Sequence, residues 1–248
     1  MRFDVITLLP ELFAPFLAGG VTRRAYESKQ IEVEFWNPRQ FAQGHYRRVD
    51  DRPFGGGPGM VMMAGPLTQC LAAIQAQRSD RPPVVLFSPV GPKLDHASVA
   101  RWSASAGAVL VCGRYEGIDQ RFIDRHVDVQ VSLGDFVLSG GEIAAMALLD
   151  AVARLQPGVL GDEDSHQFDS FNPALDGLLD CPHYTRPEEW QGVKAPGELL
   201  SGHHAQIERW RRDRSLEITA RQRPDLIAAA RASGLLSKAD EAFLSKLP

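Results

Sequence analysis

The stretch Val131-Ser-Leu-Gly-Asp-Phe-Val-Leu-Ser-Gly-Gly-Glu142 decides how this chain folds, and it runs directly into a periodic segment over residues 143–155. Apolar residues recur there at steps of three and four, which predicts a helix with one apolar face. Ser139 and Glu142 have the spacing of a capping box, in which two side chains bond the backbone at a helix start. The residues expected on the buried face are Ile143, Met146, Ala147, Ala151, Val152 and Leu155.

The loop before this helix combines apolar side chains with glycines. An apolar loop with glycines at both ends suits a flat, partly apolar ligand that backbone N–H and C=O groups hold at close approach. A buried crossover loop, in which the glycines only form turns, explains the same composition. The apolar residues are Leu133, Phe136, Val137 and Leu138, and the glycines are Gly134, Gly140 and Gly141.

Strand and helix patterns alternate up to residue 155. This alternation predicts an α/β domain with a largely parallel sheet. Candidate ligand loops at Pro89, Gly113 and Ser132 each follow a strand, and open parallel sheets bind ligands at the carboxyl ends of their strands. The predicted strands are 2–9, 31–36, 84–88, 108–112 and 127–131, and the predicted helices are 11–16, 21–28, 66–77, 96–105, 118–125 and 143–155.

Residues 50–60, with the sequence DDRPFGGGPGM, form a second glycine-rich segment. Four glycines and two prolines among these residues exclude regular structure, so a shaped or mobile loop is expected. No Gly-Lys-Ser/Thr follows, which excludes a Walker A phosphate loop. No Gly-x-Gly-x-x-Gly follows a strand, which argues against a dinucleotide-binding fold.

The composition changes after residue 161. Residues 162–171 are acidic and polar without periodicity, which predicts a mobile linker. Beyond residue 172 the pattern contains no convincing strand, and helices are predicted at 203–218, 224–232 and 238–247. The expected organisation is an α/β domain over residues 1–160, a linker over 161–171 and a small helical domain over 172–248.

Composition and charge narrow the class of protein. The three cysteines (Cys70, Cys112 and Cys181) lie far apart, which argues against a disulfide framework or a zinc site. The N-terminus is no signal peptide and no apolar run is long enough to span a bilayer, so a soluble, cytoplasmic protein is expected. The net charge is −4, but residues 209–223 carry six arginines against two acids, and residues 45–48 form a second basic cluster. Such clusters suit a phosphate backbone, although a solvated helix face explains them equally.

Four motifs lie in order along the chain: residues 50–60, 112–119 (CGRYEGID), 132–142 (SLGDFVLSGGE) and 177–187 (GLLDCPHYTRP). Together they resemble the bacterial tRNA (guanine-N1)-methyltransferases of the TrmD family, which belong to the SPOUT class. The resemblance runs from Phe3 to about Arg223. It implies an α/β fold with a deep trefoil knot, which is an exception to the rule that chains do not thread loops.

The resemblance further implies a bent S-adenosylmethionine in the knot, with its adenine against the apolar loop. It implies homodimers whose active sites are completed by the second subunit, and a requirement for magnesium, although no cage of acidic ligands stands out in the sequence. The implied cofactor-binding residues are Pro89, Gly113, Tyr115, Glu116, Ser132, Leu133, Gly134, Asp135, Phe136, Val137, Leu138, Gly140 and Gly141.

The implied reaction methylates N1 of the guanosine at tRNA position 37, with the base flipped out of its stack. Guanine N1 carries a proton, so a carboxylate can act as general base while a guanidinium stabilises charge on O6. The matching residues are Asp169 and Arg154. From sequence spacing alone, Arg154 is interpreted as a residue that caps the C-terminus of a helix, and Asp169 as one solvated acid among several. The helical domain is implied to grip tRNA through Arg209, Arg211, Arg212 and Arg214.

The chain departs from the family pattern at a few positions. Phe136 stands where a tyrosine is common, Ala144 where a proline is common, and residues 88–92 (SPVGP) replace a more polar loop. These changes bear on cofactor affinity more than on the type of reaction. Two alternative functions keep the same fold: methylation of a ribose 2′-hydroxyl in RNA, and RNA binding without catalysis.

Overall fold

A parallel sheet organises the first part of the chain. The computed structural model describes residues 1–161 and 166–247, so residues 162–165 of the predicted linker lie outside the described residues. The chain divides into two compact units, Met1–Gly161 and Asp162–Pro248. In the first unit the strands are β1 (Arg2–Ile6), β2 (Glu32–Trp36), β3 (Asp50–Asp51), β4 (Val61–Met62), β5 (Val84–Phe87), β6 (Gly107–Val111) and β7 (Val129–Val131).

The central sheet has the strand order β2-β1-β6-β5-β7, and every neighbouring pair in it is parallel. The predicted α/β class with a parallel sheet is therefore confirmed. The short strands β3 and β4 pair antiparallel. Strand β3 forms the start of the glycine-rich segment and β4 directly follows it. The prediction that no part of residues 50–60 is regular was therefore wrong for Asp50 and Asp51, which are neither glycine nor proline and pair with β4. The helices of this unit are α1 (Ala14–Ala18), α2 (Arg23–Glu27), α3 (Ala64–Gln77), α4 (His96–Ser103), α5 (Gln120–His126) and α6 (Glu142–Arg154).

Helices cover both faces of the sheet. Along β6, Ala108 and Leu110 pack into one apolar cluster while Val109 and Val111 pack into the other, because successive side chains of a strand point to opposite faces. The first cluster includes the buried face of α6, and the second includes residues of α3 and α5. A strand that is buried on both faces has a continuous run of apolar residues, and this run is the pattern from which β6 was predicted.

The buried face of α6 differs in part from the predicted one. The prediction was wrong for Ile143, which is 54% exposed, and for Ala147, which is also exposed. It is confirmed for Val152, which is buried in the first apolar cluster, and for Met146, Ala151 and Leu155, which pack partly buried against that cluster. Apolar residues stand on nearly all sides of α6, so periodicity alone could not select the exact side that packs against the sheet. The buried side chains of α6 in that cluster are Ala144, Ala145, Leu148, Leu149, Val152 and Ala153.

The second unit is mainly helical. Its core is formed by Leu178, Leu216, Ile227 and Ala230. The expectation of no strand beyond residue 172 was wrong: β8 (Glu189–Trp190) and β9 (Val193–Lys194) form an antiparallel hairpin. Two-residue strands are too short to show periodicity. The helices of this unit are α7 (Gly197–Leu200), α8 (His204–Gln222), α9 (Pro224–Ala232) and α10 (Lys238–Leu244). Among the described residues, no helix is both long and apolar enough to cross a bilayer.

Candidate active site

Three loops meet at the carboxyl ends of β5, β6 and β7 and enclose a cavity of about 450 Å³. That volume lies within the range of small-molecule sites. The loops contribute residues 88–90, 113–118, 132–134 and 136–141 to the lining. The three candidate ligand loops that the sequence placed after separate strands therefore line one cavity.

Most residues proposed from the sequence for cofactor binding line this cavity. Asp135 does not: its side chain is 84% exposed and forms an ion pair of 2.7 Å with Lys93. The lining residues from that set are Pro89, Gly113, Tyr115, Glu116, Ser132, Leu133, Gly134, Phe136, Val137, Leu138, Gly140 and Gly141.

Hydrogen bonds hold the base of the apolar loop in a defined shape. The Ser132 hydroxyl both accepts from the N–H of Gly134 and donates to its carbonyl, each at 3.1 Å. The N–H of Leu94 donates to the Ser132 carbonyl at 2.8 Å. Further along, Phe136 and Val137 are 55% and 86% exposed. The loop therefore presents apolar side chains from a fixed base, which suits contact with a flat ligand or with another protein surface.

The apolar loop and the loop after β6 approach each other backbone to backbone. The N–H of Gly141 donates to the carbonyl of Gly113 at 3.0 Å. A Cβ at Gly141 would lie 2.8 Å from the Cα of Cys112, so only glycine permits this approach. The glycines of the motif serve this close contact between loops.

The loop after β6 is also attached to the glycine-rich segment. The N–H of Glu116 donates to the carbonyl of Met60, and the N–H of Met62 donates to the carbonyl of Gly117, both at 2.9 Å. Tyr115, which precedes Glu116, has a left-handed backbone with φ of 63°, an uncommon conformation for a residue with a side chain. Arg39 donates to the Tyr115 hydroxyl at 3.4 Å. No local sequence pattern predicts these contacts, since they join segments far apart in the chain.

Glu142 is not part of a capping box, so that prediction was wrong. The N-cap of α6 is Gly141, and no side chain caps the helix. The Glu142 carboxylate is instead buried, where Oε1 accepts from the Thr7 hydroxyl at 2.8 Å and Oε2 lies 2.9 Å from Arg114. Burial, reinforced by the charge of Glu142, raises the pKa of the neighbouring Cys112 thiol well above its ordinary value.

The two residues proposed for catalysis belong to different compact units. Arg154 is the last residue of α6 and is half-buried. Asp169 is half-buried in the segment that begins at residue 166, and its N–H donates to the carbonyl of His166 at 3.4 Å. Phe168 and Phe171 flank it and are 58% and 43% exposed.

The four arginines proposed for RNA binding differ in their surroundings. Arg212 bonds Asp176 at 2.7 Å and Asp240 at 3.1 Å. Arg209 also pairs with Asp240, as well as with Asp213. Burial alone would raise the pKa of Asp240, but the bonds from Arg212 and Ser237 lower it to about 2. These arginines hold α8 and α10 together within the unit.

Arg211 and Arg214 complete that set. Arg214 pairs with Glu217 at 2.5 Å and lies over the ring of Phe243. Arg211 is exposed, and within the described part of the chain neither a hydrogen bond nor an ion pair engages its guanidinium. Much of the positive charge counted in the sequence is therefore neutralised inside the unit, while Arg211 faces solvent.

The described residues contain no group of three or more histidine, cysteine, aspartate or glutamate side chains placed to hold a metal ion. The donors that this part of the chain offers thus do not fit a protein-built magnesium cage.

The fold and cavity define an α/β protein with a cavity of small-ligand size at the carboxyl edge of a parallel sheet. The family model described as "tRNA (Guanine-1)-methyltransferase TrmD" matches residues 1–229, and the chain belongs to this family. It is 72% identical over 251 residues to a protein of Paracidovorax citrulli (strain AAC00-1), covering 100% of this chain and 98% of that one.

Other relatives are similar over their full length. The chain is 72% identical to a protein of Polaromonas sp. (strain JS666 / ATCC BAA-500), covering 100% of this chain and 97% of the other. It is 65% identical to a protein of Methylibium petroleiphilum (strain ATCC BAA-1232 / LMG 22953 / PM1), and the match covers 100% of this chain and 98% of that protein. All three relatives are named tRNA (guanine-N(1)-)-methyltransferase.

Proposed function

We propose that this chain transfers a methyl group from S-adenosylmethionine to N1 of the guanosine at position 37 of tRNA. The observation that carries the proposal is the convergence of three loops on one cavity in a chain of the tRNA (guanine-1)-methyltransferase family. The relatives' shared name supports the base and the atom that are methylated. Position 37 rests on the resemblance of the motifs.

The cavity fits a molecule with a flat apolar end and a polar end. Leu133, Phe136 and Leu138 offer an apolar wall for the adenine, and the backbone groups of the loop offer hydrogen bonds to its edge. Tyr115 and Glu116 stand in the loop proposed to lie near the ribose and methionine parts. S-adenosylmethionine supplies a methyl group on a positively charged sulfur. We take these three loops to form the trefoil knot that the resemblance implies.

Proton removal and charge stabilisation are the tasks left to the protein. The N1 lone pair of guanine becomes available only as the N1 proton leaves, and we assign its removal to the Asp169 carboxylate. As the proton leaves, negative charge grows on O6, and the Arg154 guanidinium is assigned to stabilise it. Residues 162–171, of which 162–165 lie outside the described residues, are proposed to close over the bound RNA and exclude water.

A homodimer is proposed to complete each site with residues of the second subunit. Exposed apolar side chains on the first unit support this arrangement: Phe136 and Val137 belong to the cavity lining, and Ile143 stands at the start of α6. Large apolar side chains exposed on a surface are typical of protein interfaces when they lie together. For tRNA, the exposed Arg211 and the basic residues 45–48 are proposed to contact phosphates.

The test is methyl transfer from labelled S-adenosylmethionine to unmodified tRNA transcripts with guanosine or adenosine at position 37. Only the guanosine transcript should accept the label, and digestion should yield 1-methylguanosine. Asp169→Asn should lose most of the activity, while Asp225→Asn, a matched change at an exposed acid of the same unit, should retain it. Label in a ribose 2′-O-methyl group would point to the alternative reaction, and no transfer at all would favour an RNA-binding protein without catalysis.

A further inference from the structure

We infer that Glu142 is a positioning residue that fixes the loop after β6 (residues 113–118) against the loop before α6 (residues 132–141) through Arg114 and anchors them to β1 through Thr7. This inference rests on the cofactor site proposed above. Glu142 is 1% exposed and lies behind the cavity at the first position of α6. Its carboxylate is thus a buried charge whose Oε1 is hydrogen-bonded by Thr7, while Oε2 forms an ion pair with Arg114 but, among the described residues, no hydrogen bond.

Thr7 gives Glu142 a fixed partner at the end of β1. The Thr7 hydroxyl donates to Oε1 of Glu142 at 2.8 Å and accepts from the N–H of Leu9 at 3.0 Å. Because the hydroxyl already accepts from Leu9, its single proton points at Glu142. The carboxylate oxygen therefore holds the turn after β1 as well as the start of α6.

Arg114 is the partner on the other side. Its Nη2 lies 2.9 Å from Oε2 of Glu142, and its Nη1 donates to the Ser139 carbonyl at 3.3 Å. Arg114 and Gly140 form an antiparallel backbone bridge. A Cβ at Gly140 would lie 2.4 Å from Nε of Arg114 and 2.5 Å from Oε2 of Glu142, so the glycine leaves the space in which the two charges meet.

The position of Arg114 gives this network a role beyond stability. Arg114 lines the cofactor cavity and also an adjoining cavity of about 260 Å³. Leu8 and Leu9, which follow Thr7, line the second cavity together with Arg39 and Tyr115. The hydrogen bond from Thr7 to Glu142 and the ion pair between Glu142 and Arg114 therefore hold in place the wall that the two cavities share. Loss of the Glu142 charge would free Arg114 and loosen the loop that carries Tyr115.

Glu142→Gln separates this role from general stability. The amide oxygen still accepts from Thr7, but the amide N–H₂ faces the donors of Arg114 and breaks that pair. The matched control is Arg78→Gln, which breaks the buried ion pair between Arg78 and Asp4 in the same unit without touching the cavity lining. Binding of S-adenosylmethionine by calorimetry, KM and kcat for the methyl transfer, and the melting temperature are measured for both variants.

Glu142→Gln should raise the Kd and KM for S-adenosylmethionine about tenfold, the effect of one lost bond to a charged group, with a smaller change in kcat. Arg78→Gln should lower the melting temperature at least as much and leave that Kd within about twofold of wild type. Unchanged Kd and KM in Glu142→Gln would overturn the positioning role. A wild-type protein that binds no S-adenosylmethionine would overturn the proposed cofactor site, and this inference with it.

Thr7 supplies a second pair of variants in case Glu142→Gln does not fold. Thr7→Val keeps the shape and removes the hydroxyl, while Thr7→Ser keeps the hydroxyl. The valine variant should raise the Kd for S-adenosylmethionine by about threefold or more, and the serine variant should restore it. Equal affinity in the valine and wild-type proteins would count against the anchor at β1.

Discussion

Arg78 forms an ion pair with Asp4 of β1. Nη1 of the arginine lies 2.7 Å from Oδ2 of the aspartate, and the Asp4 side chain is fully buried. The other oxygen of Asp4 accepts from Trp36 Nε1 at 2.9 Å and from Arg2. An acid in the middle of a buried strand is thus satisfied from three sides. The pair ties the end of α3 to the centre of the sheet, since Arg78 directly follows that helix.

Arg78→Gln should lower the free energy of unfolding by about 1–3 kcal/mol, because Oδ2 of the buried Asp4 carboxylate loses its bond to Arg78 while Arg2 and Trp36 still bond Oδ1. Urea unfolding followed by circular dichroism measures the change. Arg81→Gln, an exposed arginine three positions away, should stay within about 0.5 kcal/mol of wild type. Equal stability of both variants would show that Asp4 does not depend on Arg78.

Asp240 should make the helical unit sensitive to acid. Its pKa in the folded protein is lowered from 3.8 to about 2, so the folded state holds the charged form more strongly than the unfolded state. Its contribution to stability is complete above about pH 4 and is lost as the pH falls towards 2. Unfolding measured between pH 5 and 2 should therefore depend less on pH in Asp240→Asn than in wild type. Parallel curves would contradict this assignment.

Gly59 offers a test of the contact between the glycine-rich segment and the cavity. A Cβ there would lie 2.3 Å from Oε1 of Glu116, while a Cβ at Gly56 would meet no atom within 4 Å. The two glycines share the same backbone strain, with φ of 77° and 78°. Gly59→Ala should displace Glu116 and lower kcat/KM for methyl transfer by about 10- to 100-fold.

Gly56→Ala is the control for that experiment, because it introduces the same backbone strain without the collision. Its kcat/KM should stay close to wild type. Similar losses in both variants would assign the effect to strain in the segment and not to Glu116.

Arg211 and Arg212 are neighbours with different predicted roles. Arg211→Ala should weaken tRNA binding and reduce the slope of log affinity against log salt concentration by about 1, as expected for one lost phosphate contact. Arg212→Ala should instead lower the melting temperature, since it removes the bonds to Asp176 and Asp240. Filter binding over a salt series separates the two. An unchanged slope in Arg211→Ala would remove this residue from the RNA surface.

The sheet and the ligand loops could be predicted from the sequence because their signals are local. Continuous apolar runs locate β5 and β6, and a turn-forming residue follows each one. The parallel arrangement then brings the loops after β5, β6 and β7 to one edge. The three loops are spread over some fifty residues of sequence, and they line one cavity because the strands that precede them are parallel.

The contacts of Glu142 could not be predicted, because its partner Thr7 is 135 residues away. The local spacing to Ser139 suggested a cap, but burial and two distant partners decided the conformation. The buried side of α6 was predicted only in part for a related reason: Ile143 and Ala144 are both apolar, and only the sheet selects between them. The ion pairs of Arg212 likewise depend on tertiary contacts that charge counting cannot see.

Strand β1 lies inside the sheet, between β2 and β6, and Phe3 pairs with both Val33 and Ala108. On the ribosome, β2 follows β1 closely, but the other edge of β1 has no partner until β6 emerges. At ordinary translation speeds that interval lasts roughly 5–20 seconds. During this time a nascent chain carries an unpaired apolar strand edge, which is a template for pairing with other chains. The order of the strands along the chain thus leaves the sheet open to such pairing until β6 has been made.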